Sequence, residues 1–159
     1  MVNIETVKAI GEAMETATDT DEWSQLWFTL VKEPWTTLVI VPAESDSSAL
    51  GHARSLAEAG RRYQADSVDV IDAERITPSD VPEVLTTLAE RSGNGVRVLV
   101  AVRSPLEHAA AIPVARACEA AVLAVRLGEA QMVASRRTID TVGESLFIGS
   151  IVEPPELVL

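Results

Sequence analysis

The stretch that decides the fold is Leu38-Val39-Ile40-Val41, followed directly by Pro42-Ala43-Glu44-Ser45-Asp46-Ser47-Ser48. Four consecutive apolar residues predict a strand buried on both faces, because a half-exposed strand would alternate apolar and polar side chains. The polar segment predicts a loop. A helical pattern follows, in which small and apolar residues share one face: Ala49, Ala53, Leu56, Ala57 and Gly60.

The same strand and helix pattern continues along the chain. Four further apolar runs predict strands at Val68–Ile71, Val96–Val102, Ala120–Val125 and Leu146–Val152. Helical stripes lie between them, one over Val81, Val84, Leu85 and Leu88 and a weaker one over Met132, Val133, Ile139 and Val142. This alternation predicts an α/β fold, a doubly wound, mainly parallel five-stranded sheet with helices on both faces.

Two local signals place helix starts. Thr77-Pro78-Ser79-Asp80 has the composition of a helix start ahead of Val81, with Glu83 in the first turn. Pro113 cannot donate a backbone hydrogen bond, so we expect it in the first turn of a helix rather than in its interior.

The N-terminal part differs from the rest. Residues 1–20 read as a polar helix or tail, residues 21–152 as the α/β domain and residues 153–159 as a C-terminal tail. Asp21 and Glu22 open a helix on which Trp23 and Trp27 share one face. Packing onto the sheet is the favoured interpretation of these tryptophans; the alternative is a partner-binding patch.

Charge and composition exclude several function classes. The chain has 13 basic and 24 acidic residues, a net charge of −11, which disfavours binding to nucleic acid or to anionic lipid. No apolar run reaches the roughly 18 residues of a membrane span, and the N-terminus lacks a signal sequence, so we expect a cytoplasmic protein without membrane insertion.

We interpret the isolated cysteine, histidine and arginine residues as structural or solvated rather than catalytic. Cys118 is the sole cysteine and lies among alanines, which predicts a buried thiol rather than a nucleophile. We interpret His52 and His108 as solvated or helix-packed histidines. Arg136 and Arg137 could grip a phosphate or an acidic partner, although a solvated helix face is favoured.

The loop after the first strand has the position of a phosphate-binding loop without its chemistry. Such a loop needs glycines, whose backbone N–H groups wrap the anion, and a lysine that neutralises it. The segment from Pro42 to Ser48 contains neither, and Asp46 would repel a triphosphate.

The order of motifs resembles the cytoplasmic domain of bacterial tyrosine kinases that control polysaccharide chain length, within the deviant Walker-A ATPases. In that family the first loop is of the type P-G-E-G-K-S-T, its helix ends in L-A-x-x-G, and the second and third strands end in I-D-A-D-x-R-x-P and D-x-P-P. The fourth strand is of the type A-D-x-V-x-L-V-V-R. The corresponding segments here are Pro42–Ser48, Leu56–Gly60, Ile71–Pro78, Arg103–Leu106 and Cys118–Arg126.

Departures from these motifs imply a degenerate member. The loop glycines are replaced by Ala43 and Ser45, the lysine by Asp46, and the third-strand aspartate by Arg103. The only side chains compatible with a magnesium site are those of Ser47, Ser48 and Asp72. The degenerate site therefore comprises the following positions: Ala43, Glu44, Ser45, Asp46, Ser47, Ser48, Asp72, Glu74 and Arg103.

The resemblance thus implies a pseudo-ATPase without catalytic residues, cofactor or metal. Tyr63 is the only tyrosine, whereas the tail of the family carries a tyrosine cluster. We expect a regulatory or scaffolding module in polysaccharide biosynthesis or export, with a membrane chain-length determinant as its protein partner, and a monomer or weak homodimer in isolation. The alternative is an active ATPase or tyrosine kinase with an unconventional nucleotide site; a structural partner in an unrelated pathway is a third hypothesis.

Overall fold

The fold is a five-stranded, wholly parallel sheet with helices packed on both faces, which confirms the predicted architecture. The computed structural model describes residues 19–44, 49–64, 67–127 and 131–153. The strands are β1 (Thr37–Pro42), β2 (Val68–Asp72), β3 (Arg97–Ala101), β4 (Ala120–Arg126) and β5 (Phe147–Glu153). The helices are α1 (Asp19–Leu30), α2 (Ala49–Gln64), α3 (Val81–Ser92), α4 (Ala111–Ala117) and α5 (Gln131–Val142).

The strand order is β2-β3-β1-β4-β5, with β1 in the centre. Leu38 pairs with Leu99 of β3 on one side and with Ala120 of β4 on the other. Since both neighbours of β1 come much later in the chain, the central pairings are all long-range.

Burial on both faces explains the uninterrupted apolar run of β1. Leu38 and Ile40 belong to a core shared with α1 and α2, whereas Val39 and Val41 belong to a second core shared with α3, α4 and α5. All four side chains are fully buried.

Helix α1 packs onto α2 through its tryptophans. Trp23 and Trp27 are buried in the first core, as is Trp35, so the favoured packing interpretation is confirmed and the alternative, a partner-binding patch at these tryptophans, is wrong. A Cβ atom added to Gly60 of α2 would lie 2.8 Å from the Trp27 ring, so only glycine allows this close approach. The helix begins at Asp19, two residues before the predicted start.

Both predicted helix starts are found. A 3-10 turn over Pro78–Asp80 leads into α3, and the Asp80 carboxylate accepts a hydrogen bond from the Thr77 N–H at 2.8 Å. Pro113 is the third residue of α4, within its first turn. None of the described helices is long and apolar enough to cross a membrane.

Candidate functional site

The candidate site is the carboxyl edge of the sheet around β1. The chain leaves β1 toward α2 on one face, whereas β3 and β4 connect to α4 and α5 on the opposite face. Loops that diverge in this way open a crevice at the end of the central strand. In open α/β sheets, ligands bind in such crevices outside the carboxyl ends of the strands.

The beginning of the degenerate phosphate loop is hydrogen-bonded to β4 and to the β3–α4 connection. The N–H of Ala43 donates to the carbonyl of Ala124 at 3.0 Å, and the hydroxyl of Ser104 donates to the carbonyl of Ala43 at 3.3 Å. Ala43 and Ser104 are both buried. The remaining predicted loop positions, Ser45, Asp46, Ser47 and Ser48, lie outside the described residues.

Glu74 contacts the first described turn of α2. Its carboxylate accepts a hydrogen bond from the backbone N–H of Leu50 at 2.9 Å, while its own N–H donates to the carboxylate of Asp72 at 3.0 Å. Helix starts present unpaired N–H groups and a positive partial charge, so an anion there is stabilising. The second-strand motif therefore supplies α2 with a carboxylate from within the protein.

Arg103 follows β3, and its guanidinium has different chemical properties from the carboxylate of the aspartate that it replaces. Ala101, the last residue of β3, pairs with Ile40 of β1 and Asp72 of β2, so Arg103 emerges between the ends of these two strands. The side chain of Arg103 is exposed and forms no ion pair with the described residues. A guanidinium has only donors and cannot ligate a metal ion.

A buried charged cluster lies at the same edge of the sheet, between α2, β4 and β5. His52 Nε2 is hydrogen-bonded to Glu153 Oε1, and Arg126 donates to Glu153 Oε2 at 3.2 Å. The ring of Trp23 lies 5.8 Å from that of His52, whose buried Nδ1 atom has no hydrogen-bond partner among the residues that the structure describes. The cluster joins three elements and is packed rather than open to a substrate.

Of the two histidines, only His52 fits the helix-packed interpretation. His108 lies in the β3–α4 connection, half-buried, with its Nε2 atom 3.1 Å from the carbonyl oxygen of Ile76. Sequence reasoning did not identify Glu153 as a partner of His52. The available signal was that His52 lies on the buried stripe of α2, three residues after Ala49 and four before Leu56.

A pocket of about 350 Å³ opens beside the loop after β1. It is lined by the first loop, the β3–α4 connection and α5, through residues that include Glu44, Ser104, Leu106, Glu107, Ala134 and Arg137. Arg137, which the sequence assigned to a solvated helix face, is exposed and faces this pocket. The described part of the lining combines one guanidinium with two carboxylates.

Neither a reactive cysteine nor a cluster of metal ligands is found in the described ranges. Burial, together with the nearby charge of Glu119, raises the pKa of the Cys118 thiol to about 12, so the thiol is protonated at neutral pH. Residues 19–44, 49–64, 67–127 and 131–153 contain no group of three His, Cys, Asp or Glu side chains arranged to hold a metal ion.

Comparison with known proteins adds no family. No protein-family model matches the chain, and no curated protein is significantly similar to it in sequence. Function is therefore argued from the residues at the carboxyl edge of the sheet.

Proposed function

We propose that this protein is a catalytically inactive, phosphate-loop-like pseudo-ATPase that acts as a regulatory or scaffolding module in polysaccharide biosynthesis or export. The single observation that carries the loss of nucleotide binding is the hydrogen bond from the N–H of Leu50 to the carboxylate of Glu74, whose side chain is one methylene group longer than that of the aspartate in the family motif. It gives the start of α2 an anion from the protein itself, where a phosphate-loop protein binds its ligand.

The Glu74 carboxylate opposes a triphosphate in two ways. It accepts the hydrogen bond of a backbone N–H that an anionic ligand would use, and it adds negative charge next to the same helix start. Two like charges 4 Å apart repel by about 1 kcal/mol in water and by about 4 kcal/mol at the effective dielectric constant of a protein surface. A nucleotide would have to overcome this repulsion.

The replaced residues act in the same direction. The aspartate at position 46 of the loop removes the positive charge that phosphate groups need, and Arg103 cannot hold a magnesium ion. Both changes reverse the charge that nucleotide hydrolysis requires at their positions.

The pathway and the partner follow from the motif order. The kinases that the chain resembles act together with a membrane-anchored chain-length determinant, so we propose such a determinant as the protein partner. The module would bind it without nucleotide, and would be monomeric or weakly dimeric when purified alone.

Calorimetric titration with Mg-ATP tests the proposed loss of function. The wild-type protein should give no binding heat, and neither should Glu90→Gln, which removes one exposed carboxylate near the end of α3. A variant that restores the loop and strand residues, A43G/S45G/D46K/R103D, combined with Glu74→Gln, should gain binding. Micromolar binding or phosphate release by the wild-type protein would overturn the proposal.

Co-purification tests the proposed partner. Chain-length determinants encoded beside this protein should be retained on the immobilised wild-type chain equally well with and without Mg-ATP. Retention that requires ATP would contradict a nucleotide-independent module.

A further inference from the structure

The pocket beside the first loop is lined by two side chains of opposite charge that form no ion pair with each other. Arg137 comes from α5 and Glu107 from the β3–α4 connection, and both line the same cavity of about 350 Å³. Neither side chain forms an ion pair or a hydrogen bond within the described part of the chain. A separated cation and anion on the walls of one pocket match a ligand that carries both charges.

The rest of the lining limits the class of ligand. Glu44 adds a second carboxylate, so the lining residues that the structure describes carry a formal charge of −1, which disfavours phosphate esters and dicarboxylates. Leu106 and Ala134 offer apolar contact, and Ser104 is buried with its hydroxyl donating to the Ala43 carbonyl. The volume lies at the small end of the usual range for ligand pockets, roughly 300–1,000 Å³.

We propose that this pocket binds a small basic amino acid, with the ligand carboxylate on Arg137 and a ligand amine on Glu107. The guanidinium supplies two parallel donors for a carboxylate, and the glutamate accepts from an ammonium group. The position at the end of the central strand, where the loops diverge, is where α/β sheets place their ligands. This site does not depend on the proposed loss of nucleotide binding.

L-lysine is the probe, with putrescine and propionate as the ligands that carry only amines or only a carboxylate. We expect L-lysine to bind with a dissociation constant on the order of 1 mM, as suits a ligand of its size. Binding is followed by two-dimensional NMR of the full-length protein. Putrescine should bind at least about fivefold more weakly and propionate more weakly still, because each lacks one of the two charged contacts.

Charge-neutral variants assign the two contacts. Arg137→Gln should weaken L-lysine about tenfold without weakening putrescine, whereas Glu107→Gln should weaken both ligands. Arg136→Gln is the matched control, because Arg136 is the exposed neighbour on α5 and does not line the pocket. Both targets are exposed, so the variants should fold normally.

Three results would overturn the proposal. They are the absence of L-lysine binding at about 20 mM, an equal effect of Arg136→Gln and Arg137→Gln, and tighter binding of propionate than of L-lysine. Failure here would leave the Mg-ATP result unaffected, so the two proposals are tested separately.

Discussion

His52 on α2 and Glu153 at the end of β5 lie 101 residues apart in the chain and share a hydrogen bond in the protein interior. Arg126 holds the other oxygen of the same carboxylate. The charge of Glu153 therefore ties the last strand of the sheet to β4 and to the helix that follows β1.

Removing this carboxylate should destabilise the fold. Glu153→Ala removes the carboxylate that the Arg126 guanidinium and the His52 Nε2 atom contact, and the expected loss is about 3 kcal/mol of unfolding free energy. Urea denaturation measures it. Glu90→Ala, at an exposed position of α3, is the control and should change stability by less than about 0.5 kcal/mol. Equal stability of the two variants would mean that the cluster does not stabilise the fold.

The contact between Gly60 and Trp27 gives a second prediction. Gly60→Ala places a methyl group 2.8 Å from the indole ring and should cost about 1–3 kcal/mol through displacement of Trp27. Gly51→Ala is the matched control on the same helix, since no described atom lies within 4 Å of its added Cβ, and it should be neutral or stabilise by up to about 1 kcal/mol. Thermal unfolding measures the melting temperatures of both variants. Similar melting temperatures would refute the prediction.

Glu119 should make stability depend on acid. The hydroxyl and the N–H of Thr36 donate to its carboxylate and hold the pKa below its ordinary value of 4.5. A carboxyl group with a lowered pKa stabilises the fold when it is ionised, so its contribution is complete above pH 4.5 and is lost as the pH falls through the folded-state pKa.

Denaturation of the wild-type protein and of Glu119→Gln, from neutral pH to below pH 4.5, tests the pH dependence. Their difference in unfolding free energy should be constant at neutral pH and should shrink in acid. Thr36→Val should return the pKa of Glu119 toward 4.5 in an NMR titration. A difference that grows as the pH falls would contradict the assigned hydrogen bonds.

Cys118 should resist alkylation in the folded protein. Its thiol is buried and its pKa is raised to about 12, so the reactive thiolate is scarce at neutral pH. Since the chain has no other cysteine, the mass added by iodoacetamide reports this site alone. Labelling should be fast in urea and at least about a hundredfold slower without it. Comparable rates would show an accessible thiol.

The sequence predicted the strands well because burial on both faces leaves a simple pattern. The run at Leu38–Val41, for example, falls within β1 to one residue at each end. The order of strands was not predictable, because the pairing of Leu38 with Leu99 and Ala120 leaves no local signal.

The candidate site was predicted only in part. Motif order identified the loop after β1, Glu74 and Arg103 as positions at one sheet edge. It did not reveal that Glu74 accepts from Leu50, or that His52 meets Glu153, because such contacts depend on side chains brought together from separate elements. Arg137 is exposed, as predicted, but its place in the pocket depends on the packing of α5 beside the β3–α4 connection, which leaves no signal in the sequence.

The central position of β1 has a consequence for how the chain folds. During synthesis this apolar strand emerges first among the five, yet its partner β3 follows about 60 residues later, and β4 later still. Until then its backbone N–H and C=O groups have no partner strand, and this apolar, aggregation-prone segment is exposed to other chains. We therefore expect the exposed Thr37–Pro42 segment to slow folding and to make the overexpressed protein dependent on chaperones.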